Sequence, residues 1–254
     1  MVITTASDKK TSSDWINYFG YNRENLLPID WDSSYQLTDI EREIISHSIS
    51  CFQLGESSEG NHLMQAARIY GDRTQDKLFV DAVKLFIGEE QRHARTLGQF
   101  MKQQAIPLAK HHWTDTIFRK LRRLLNLEIS LAVLLTAELI ATVYYKALGN
   151  ATKSPTLNQL CQQILHDENQ HVYFQTLTLR QISQNRPDLL LKCSQLLQQL
   201  LFGCTLMIVW LDHGKVFLKS GYTFKIFSDD CWLAFNHAIQ IMYPTVLLKT
   251  KLNE

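Results

Sequence analysis

Two short patterns in this chain place an imidazole three residues after a carboxylate: Glu90-Gln-Arg-His93 and Glu168-Asn-Gln-His171. On an α-helix such residues project to one side, so each pair offers a hard oxygen and a nitrogen to a single ion. Two further carboxylates, Glu59 and Glu138, precede Glu90 and Glu168 by 31 and 30 residues. Matched offsets mean that two helical hairpins would bring all six groups to nearly the same height, related by a pseudo-twofold. One Glu-x-x-His is common by chance; two at matched distances behind another acidic residue form a specific signal.

The apolar rows around these residues state the physical problem. Val83, Glu90 and Leu97 share one heptad row, and Phe79, Phe86, His93 and Phe100 share its companion. Leu131, Glu138 and Tyr145 form another row, as do Ile45, Phe52, Glu59 and Ala66, and Ile164 precedes His171 on its own row. A carboxylate buried on such a row is costly without a partner, and the rows supply no matching lysines or arginines. Metal ions answer this, because one ion neutralises several carboxylates at once. Two Glu-x-x-His pairs and one glutamate from each remaining helix make a dinuclear site. On the first helix Glu56, on the adjacent row Ile49, Glu56, Leu63 and Tyr70, can replace or supplement Glu59, while His62 reads as a supporting or surface residue. Glu89 and Asp167, each one residue before a ligand, read as solvent-facing or as contacts behind the ligands. Tyr145 reads as a packed tyrosine hydrogen-bonded near the site. Glu128, too far along its helix to join, reads as a channel or helix-pairing residue.

The elements that must position these groups are helical. Glycine and proline together make 15 of 254 residues, which favours long helices over loop-rich β folds. Residues 1–37 lack clear periodicity and read as an irregular, aromatic-rich arm. Thr38 and Glu41 form a capping box that opens a helix of about 30 residues, with Gly71 at its C-terminal turn. A second helix is expected from about Gln75 to Gln104, and a third from Thr114 to Leu148. A fourth, capped by Ser154 with Pro155 in its first turn, runs to about Asn185. Residues 187–254 form an extension: a helix over about 188–213, an extended or hairpin-like stretch over 214–228, and a last helix capped by Ser228. The expected architecture is an all-α four-helix bundle over 38–186 with additional C-terminal helices packed on it.

Composition removes several alternatives. Lys plus Arg (26) against Asp plus Glu (25) leaves +1, so no large basic footprint invites nucleic acid. The five cysteines are widely spaced without a Cys-x-x-Cys pair, which excludes a rubredoxin-type iron site and suggests reduced thiols in a reducing compartment. The polar first residues give no secretory signal. The longest apolar run, Leu200–Leu211, has 12 residues against the ~20 of a spanning helix. A cytoplasmic protein with no transmembrane segment is the expectation.

With these residues in place, the chain over about 38–185 resembles the ferritin-like, rubrerythrin-like di-iron carboxylate superfamily. Glu89-Glu90-Gln-Arg-His93-Ala94 is especially similar to the second-helix motif of rubrerythrin-type bundles. The resemblance implies two iron ions, with manganese or a mixed pair in the same ligands as variants. It implies that Glu59, Glu90 and His93 bind one ion, that Glu138, Glu168 and His171 bind the other, and that Glu90 and Glu168 bridge them at the reacting centre. Leu97 stands where the ribonucleotide reductase radical subunit, a similar bundle, has its radical tyrosine, so a stored radical of that type is disfavoured. The implied activity is an oxidoreductase that activates O2, with a small apolar organic substrate that the apolar C-terminal region could enclose. The alternatives are a rubrerythrin-like peroxidase supplied by an external electron donor, and an iron-oxidising storage protein. The C-terminal apolar stretch also admits a core helix or a homodimer interface.

Overall fold

In a computed structural model, residues 10–57, 60–110 and 126–243 of the 254 are described. These form α-helices, with no strand among them. The helices, numbered in order, are α1 (Ser12–Glu24), α2 (Asp39–Glu56), α3 (Asn61–Thr74), α4 (Leu78–Gln103), α5 (Leu127–Asn150), α6 (Pro155–Ser183), α7 (Asp188–Lys219) and α8 (Phe224–Met242). The all-helical class is as expected. Helix α4 packs against α1, α2 and α3, α5 lies along α6, α7 covers α2 and α5, and α8 covers α6 and α5.

Local chemistry accounts for the boundaries. Thr38 and Glu41 cap α2 reciprocally, Ser154 accepts from the Leu157 N–H at the start of α6, and Pro155 fills the first helical position. The supposed arm is partly helix α1, opened by its own capping box of Thr11 and Asp14. Its Trp15 and Phe19 are buried against Phe174 of α6. Of the stretch 214–228 expected to be extended, the residues up to Lys219 end α7 and those from Phe224 begin α8. Thr223, rather than Ser228, caps α8 through the Ile226 N–H.

Two further boundaries correct the sequence reading. The first long helix is broken between Glu56 and Asn61, within the Gly- and Ser-rich stretch Gly55-Glu-Ser-Ser-Glu-Gly60, whose poor helix propensity ends α2 without a proline. Gly71 lies inside α3 rather than at its end. Gln75 takes the left-handed position (φ 60°), and the Asp76 N–H bonds the Gly71 carbonyl. Glycine is required at 71 because a Cβ there would stand 2.8 Å from the Asp76 carbonyl oxygen. The third expected helix does not run unbroken from Thr114, which lies outside the described residues. Asn126, extended and bonded to the Ile129 N–H, starts α5.

Two helices, Leu127–Asn150 and Asp188–Lys219, are long and apolar enough to cross a membrane by length and composition, which the longest uninterrupted apolar run did not reveal. About two thirds of the first window is buried in the protein, against 22% of the second, whose outer face exposes Leu189, Leu197 and Leu211. At the far end of the bundle Arg186 grips Glu128 with both guanidinium nitrogens at 2.5 Å, so Glu128 pairs α5 with the α6–α7 connection.

The break between α2 and α3 sets where Glu56 ends up. Gly60 has φ 69°, and a Cβ added there would lie 2.7 Å from the Ile87 side chain. Gly60→Ala is therefore expected to cost about 1–3 kcal/mol, read as a fall in denaturation midpoint. An unchanged midpoint would mean that the break tolerates a side chain.

Candidate metal centre

Helices α2, α4, α5 and α6 deliver Glu56, Glu90, His93, Glu138, Glu168 and His171 to one buried cluster. One ligand atom each from Glu56, Glu90, His93 and Glu168 lie within 4.8 Å of one another, and so do atoms from Glu90, Glu138, Glu168 and His171. Glu90 and Glu168 belong to both groups. Five of the six residues expected as ligands are thus brought together. The sixth, Glu59, lies outside the described residues, and the α2 carboxylate in the cluster is Glu56. Its row explains this, since Ile49, Glu56, Leu63 and Tyr70 are all buried.

The inward atoms distinguish this cluster from a set of ion pairs. His93 Nδ1 faces Glu168 Oε1 at 3.5 Å, Glu56 Oε2 at 3.9 Å and Glu90 Oε1 at 4.0 Å. His171 Nδ1 faces Glu90 Oε1 at 2.8 Å and Glu168 Oε2 at 3.6 Å. None of these approaches has hydrogen-bond geometry: both Nδ1 atoms, Glu90 Oε1, Glu138 Oε2 and Glu168 Oε2 are buried and unsatisfied. Orphaned polar atoms of this number in one place are rare, and metal coordination satisfies all of them together. The donors, carboxylate oxygens with one imidazole for each ion, suit Fe(II), Fe(III) or Mn(II).

The outer nitrogens of both histidines, by contrast, are engaged, and crosswise. His93 of α4 bonds through Nε2 to Asp167 of α6 at 2.9 Å, and His171 of α6 bonds through Nε2 to Glu89 of α4 at 2.9 Å. Each anion that braces a histidine immediately precedes a cluster glutamate on the opposite helix. Asn22 of α1 ties the two braces together, its amide donating to Glu89 at 2.6 Å and to Asp167 at 2.7 Å. Arg92 reaches the same pair at 3.2 and 2.7 Å, and Gln163 adds a bond to Asp167. Two of the four cluster carboxylates are held likewise: Tyr145 donates to Glu56 Oε1 at 2.6 Å, and Gln175 donates to Glu138 Oε1. Such outer bonds fix tautomer and orientation while leaving the inner atoms free to ligate.

Glu89 and Asp167 therefore stand behind the ligands, one of the two roles open to them in the sequence. Tyr145 is the expected packed, hydrogen-bonded tyrosine. His62 is exposed and away from the cluster. Sequence reasoning missed Asn22, Arg92 and Gln175. Arg92 had a signal, three residues after Glu89 on one helix face; Asn22 belongs to a segment with no evident pattern.

Crowded charge shifts the protonation of these groups. Burial, with the Glu90 charge behind it, pushes Glu56 up to about 8. Burial and the Glu168 and Glu90 charges hold Glu138 well above the usual carboxylate range. Burial disfavours the imidazolium forms of His93 and His171, but their carboxylate partners outweigh it and raise both well above 6.5. Burial likewise opposes ionisation of Glu168 and Asp167, yet the histidines hold Glu168 low and His93 and Arg92 hold Asp167 low.

In the metal-free protein, Glu56, Glu138, His93 and His171 thus retain protons that an unfolded chain releases at lower pH. The folded state then binds more protons than the unfolded one, so stability falls as pH rises from about 5 through 8. Depressed Glu168 and Asp167 act oppositely, but only below about pH 4.5. Thermal denaturation of metal-free protein should show a midpoint falling by several degrees from pH 6 to 9, at ~2–4 °C per kcal/mol. Metal loading should flatten that slope and release protons into weakly buffered solution. A flat metal-free profile would contradict the protonation pattern.

Asn22→Leu removes two hydrogen bonds to charged groups and should weaken metal affinity by roughly 10–100-fold, measured by competition with a chelating dye. Unaltered affinity would mean that α1 does not brace the cluster.

No protein-family model matches this chain and no curated protein matches it, so its residues carry the reading of the site.

Proposed function

We propose that this protein is a ferritin-like oxidoreductase whose dinuclear iron centre activates O2 to oxidise a small apolar organic substrate. The observation that carries the reading is the juxtaposition of unsatisfied inward ligand atoms with an apolar cavity. That cavity, of about 160 Å³, reaches Glu56, Glu90, Glu138 and Glu168 and is walled by Phe52, Val133, Leu134, Ala137, Ile140 and Ala141, with Ile208 and Val209 of α7 lining its other side. Its volume is comparable with the ~150 Å³ of an apolar cavity that admits benzene.

Glu56, Glu90, His93 and Glu168 would hold one ion, and Glu90, Glu138, Glu168 and His171 the other, with Glu90 and Glu168 common to both groups. A pair of irons supplies reversible one-electron steps and a place for O2 to bind; the protein supplies orientation and a dry surround. Tyr145 and Gln175 each hold one oxygen of a terminal glutamate and direct the other inward. Glu90 is the most exposed of the six, its side chain 16% accessible, and it borders the cavity where a substrate would approach. Aliphatic walls exclude water and favour hydrocarbon over polar ligands.

The test is anaerobic loading with Fe(II) followed by stopped-flow absorbance on mixing with O2, and separately with peroxide, with toluene as an apolar probe. The expected result is two irons per chain, a transient visible band with O2 and hydroxylated toluene by gas chromatography. Ala137→Phe, which fills the cavity, should keep both irons and lose at least 10-fold in product. Rapid peroxide consumption with sluggish O2 reaction would replace this reading with the peroxidase, and uptake far beyond two irons with storage.

A further inference from the structure

A second group of metal-type ligands meets beside the cavity, between α2 and α7. His47 and Cys51 stand one turn apart on α2, and Asp212 reaches them from α7. His47 Nε2 is 3.0 Å from Asp212 Oδ1, and both ring nitrogens of His47 lie 3.9 Å from Cys51 Sγ. One ligand atom from each of the three lies within 4.8 Å of the others. Around a tetrahedral zinc, donors at the usual Zn–N and Zn–S lengths are separated by roughly 3.3–3.8 Å, so this constellation needs only small side-chain adjustments to close on one ion.

We propose that His47, Cys51 and Asp212 form a mononuclear Zn(II) site that joins α7 to α2 at the edge of the cavity. Three features support it. The donor set of thiolate, imidazole and carboxylate balances the charge of a divalent ion and is softer than the oxygen-rich cluster, so one chain offers two sites of different metal preference. His213 backs the carboxylate: its Nε2 is 3.4 Å from Asp212 Oδ2, while its Nδ1 lies 3.0 Å from Ser48 Oγ, itself 3.0 Å from the Tyr144 hydroxyl. At 3.4 Å this is an ion-pair approach without hydrogen-bond geometry, close enough to tighten onto a metal-bound carboxylate. His47 is 57% exposed and gives an ion entry from solvent, whereas Cys51 is buried and lines the cavity with His213. Binding releases the thiol proton to solvent as the zinc–sulfur bond forms, with no change of oxidation state. The described residues supply three ligands.

Co(II) added to the full-length protein tests this directly. Tetrahedral cobalt on a thiolate gives an intense near-ultraviolet charge-transfer band that an oxygen- and nitrogen-ligated cluster cannot produce, so the result stands independently of the proposed function. The band should reach saturation at one Co(II)–thiolate per chain, be displaced by Zn(II), and vanish in Cys51→Ser. It should persist in a Cys193→Ser, Cys204→Ser double variant, which removes the two exposed thiols. His47→Gln, at an exposed position, should keep the helical circular dichroism and weaken Zn(II) binding roughly 100-fold or more, as loss of one of three ligands requires. Absence of the band, its survival in Cys51→Ser, or unchanged affinity in His47→Gln would overturn the proposal.

Discussion

Six ionisable side chains share one buried space in this protein, and most of the rest of the structure can be read as the means of keeping them there. Desolvating a carboxylate or an imidazolium costs several kcal/mol per group. Four glutamates and two histidines on converging helices would drive the bundle apart unless the charges were compensated. Protons offset part of the cost in the metal-free protein, raising Glu56, Glu138, His93 and His171. Protons nevertheless leave five inward atoms without partners. Metal ions satisfy those atoms, and that difference is the thermodynamic reason to read the cluster as a metal centre.

The bracing behind the cluster has an internal symmetry. Each of α4 and α6 carries an acidic residue followed by a cluster glutamate and, three residues later, a cluster histidine. The acidic residue of each helix holds the histidine of the other. This exchange couples the rotation of the two helices, because turning either one breaks a bond at both histidines. Asn22 and Arg92 close the exchange, which gives helix α1 a role in the centre despite contributing no ligand.

Much of this was legible in the sequence because spacing on a helix is geometry. Glu90, His93 and Glu138 could be placed on inner faces from heptad rows, and Glu168 and His171 followed from their three-residue spacing and from the matched offset behind Glu138. The choice on the first helix depended on phase. Glu56 and Glu59 lie on adjacent rows, and only the break after Glu56 shows which row α2 presents to the cluster. That break came from a run of glycines and serines rather than from a proline, a weaker signal. Asn22 was illegible for a different reason: its role rests on contacts with residues 67 and 145 positions away, and no local pattern encodes those.

Helix α7 completes the picture by walling one side of a cavity that begins at the cluster, supplying Ile208 and Val209 to the wall and Asp212 to the group beside it. All of this depends on the six inward groups being ligands of two ions. The most direct measurement is iron counting after anaerobic Fe(II) loading and exhaustive dialysis, in a Cys51→Ser background so that only the carboxylate cluster is counted. Two irons per chain are expected, falling to one or none when the shared Glu168 is replaced by alanine. Two tightly held irons in the Glu168→Ala protein, or none in its parent, would contradict that ligand assignment.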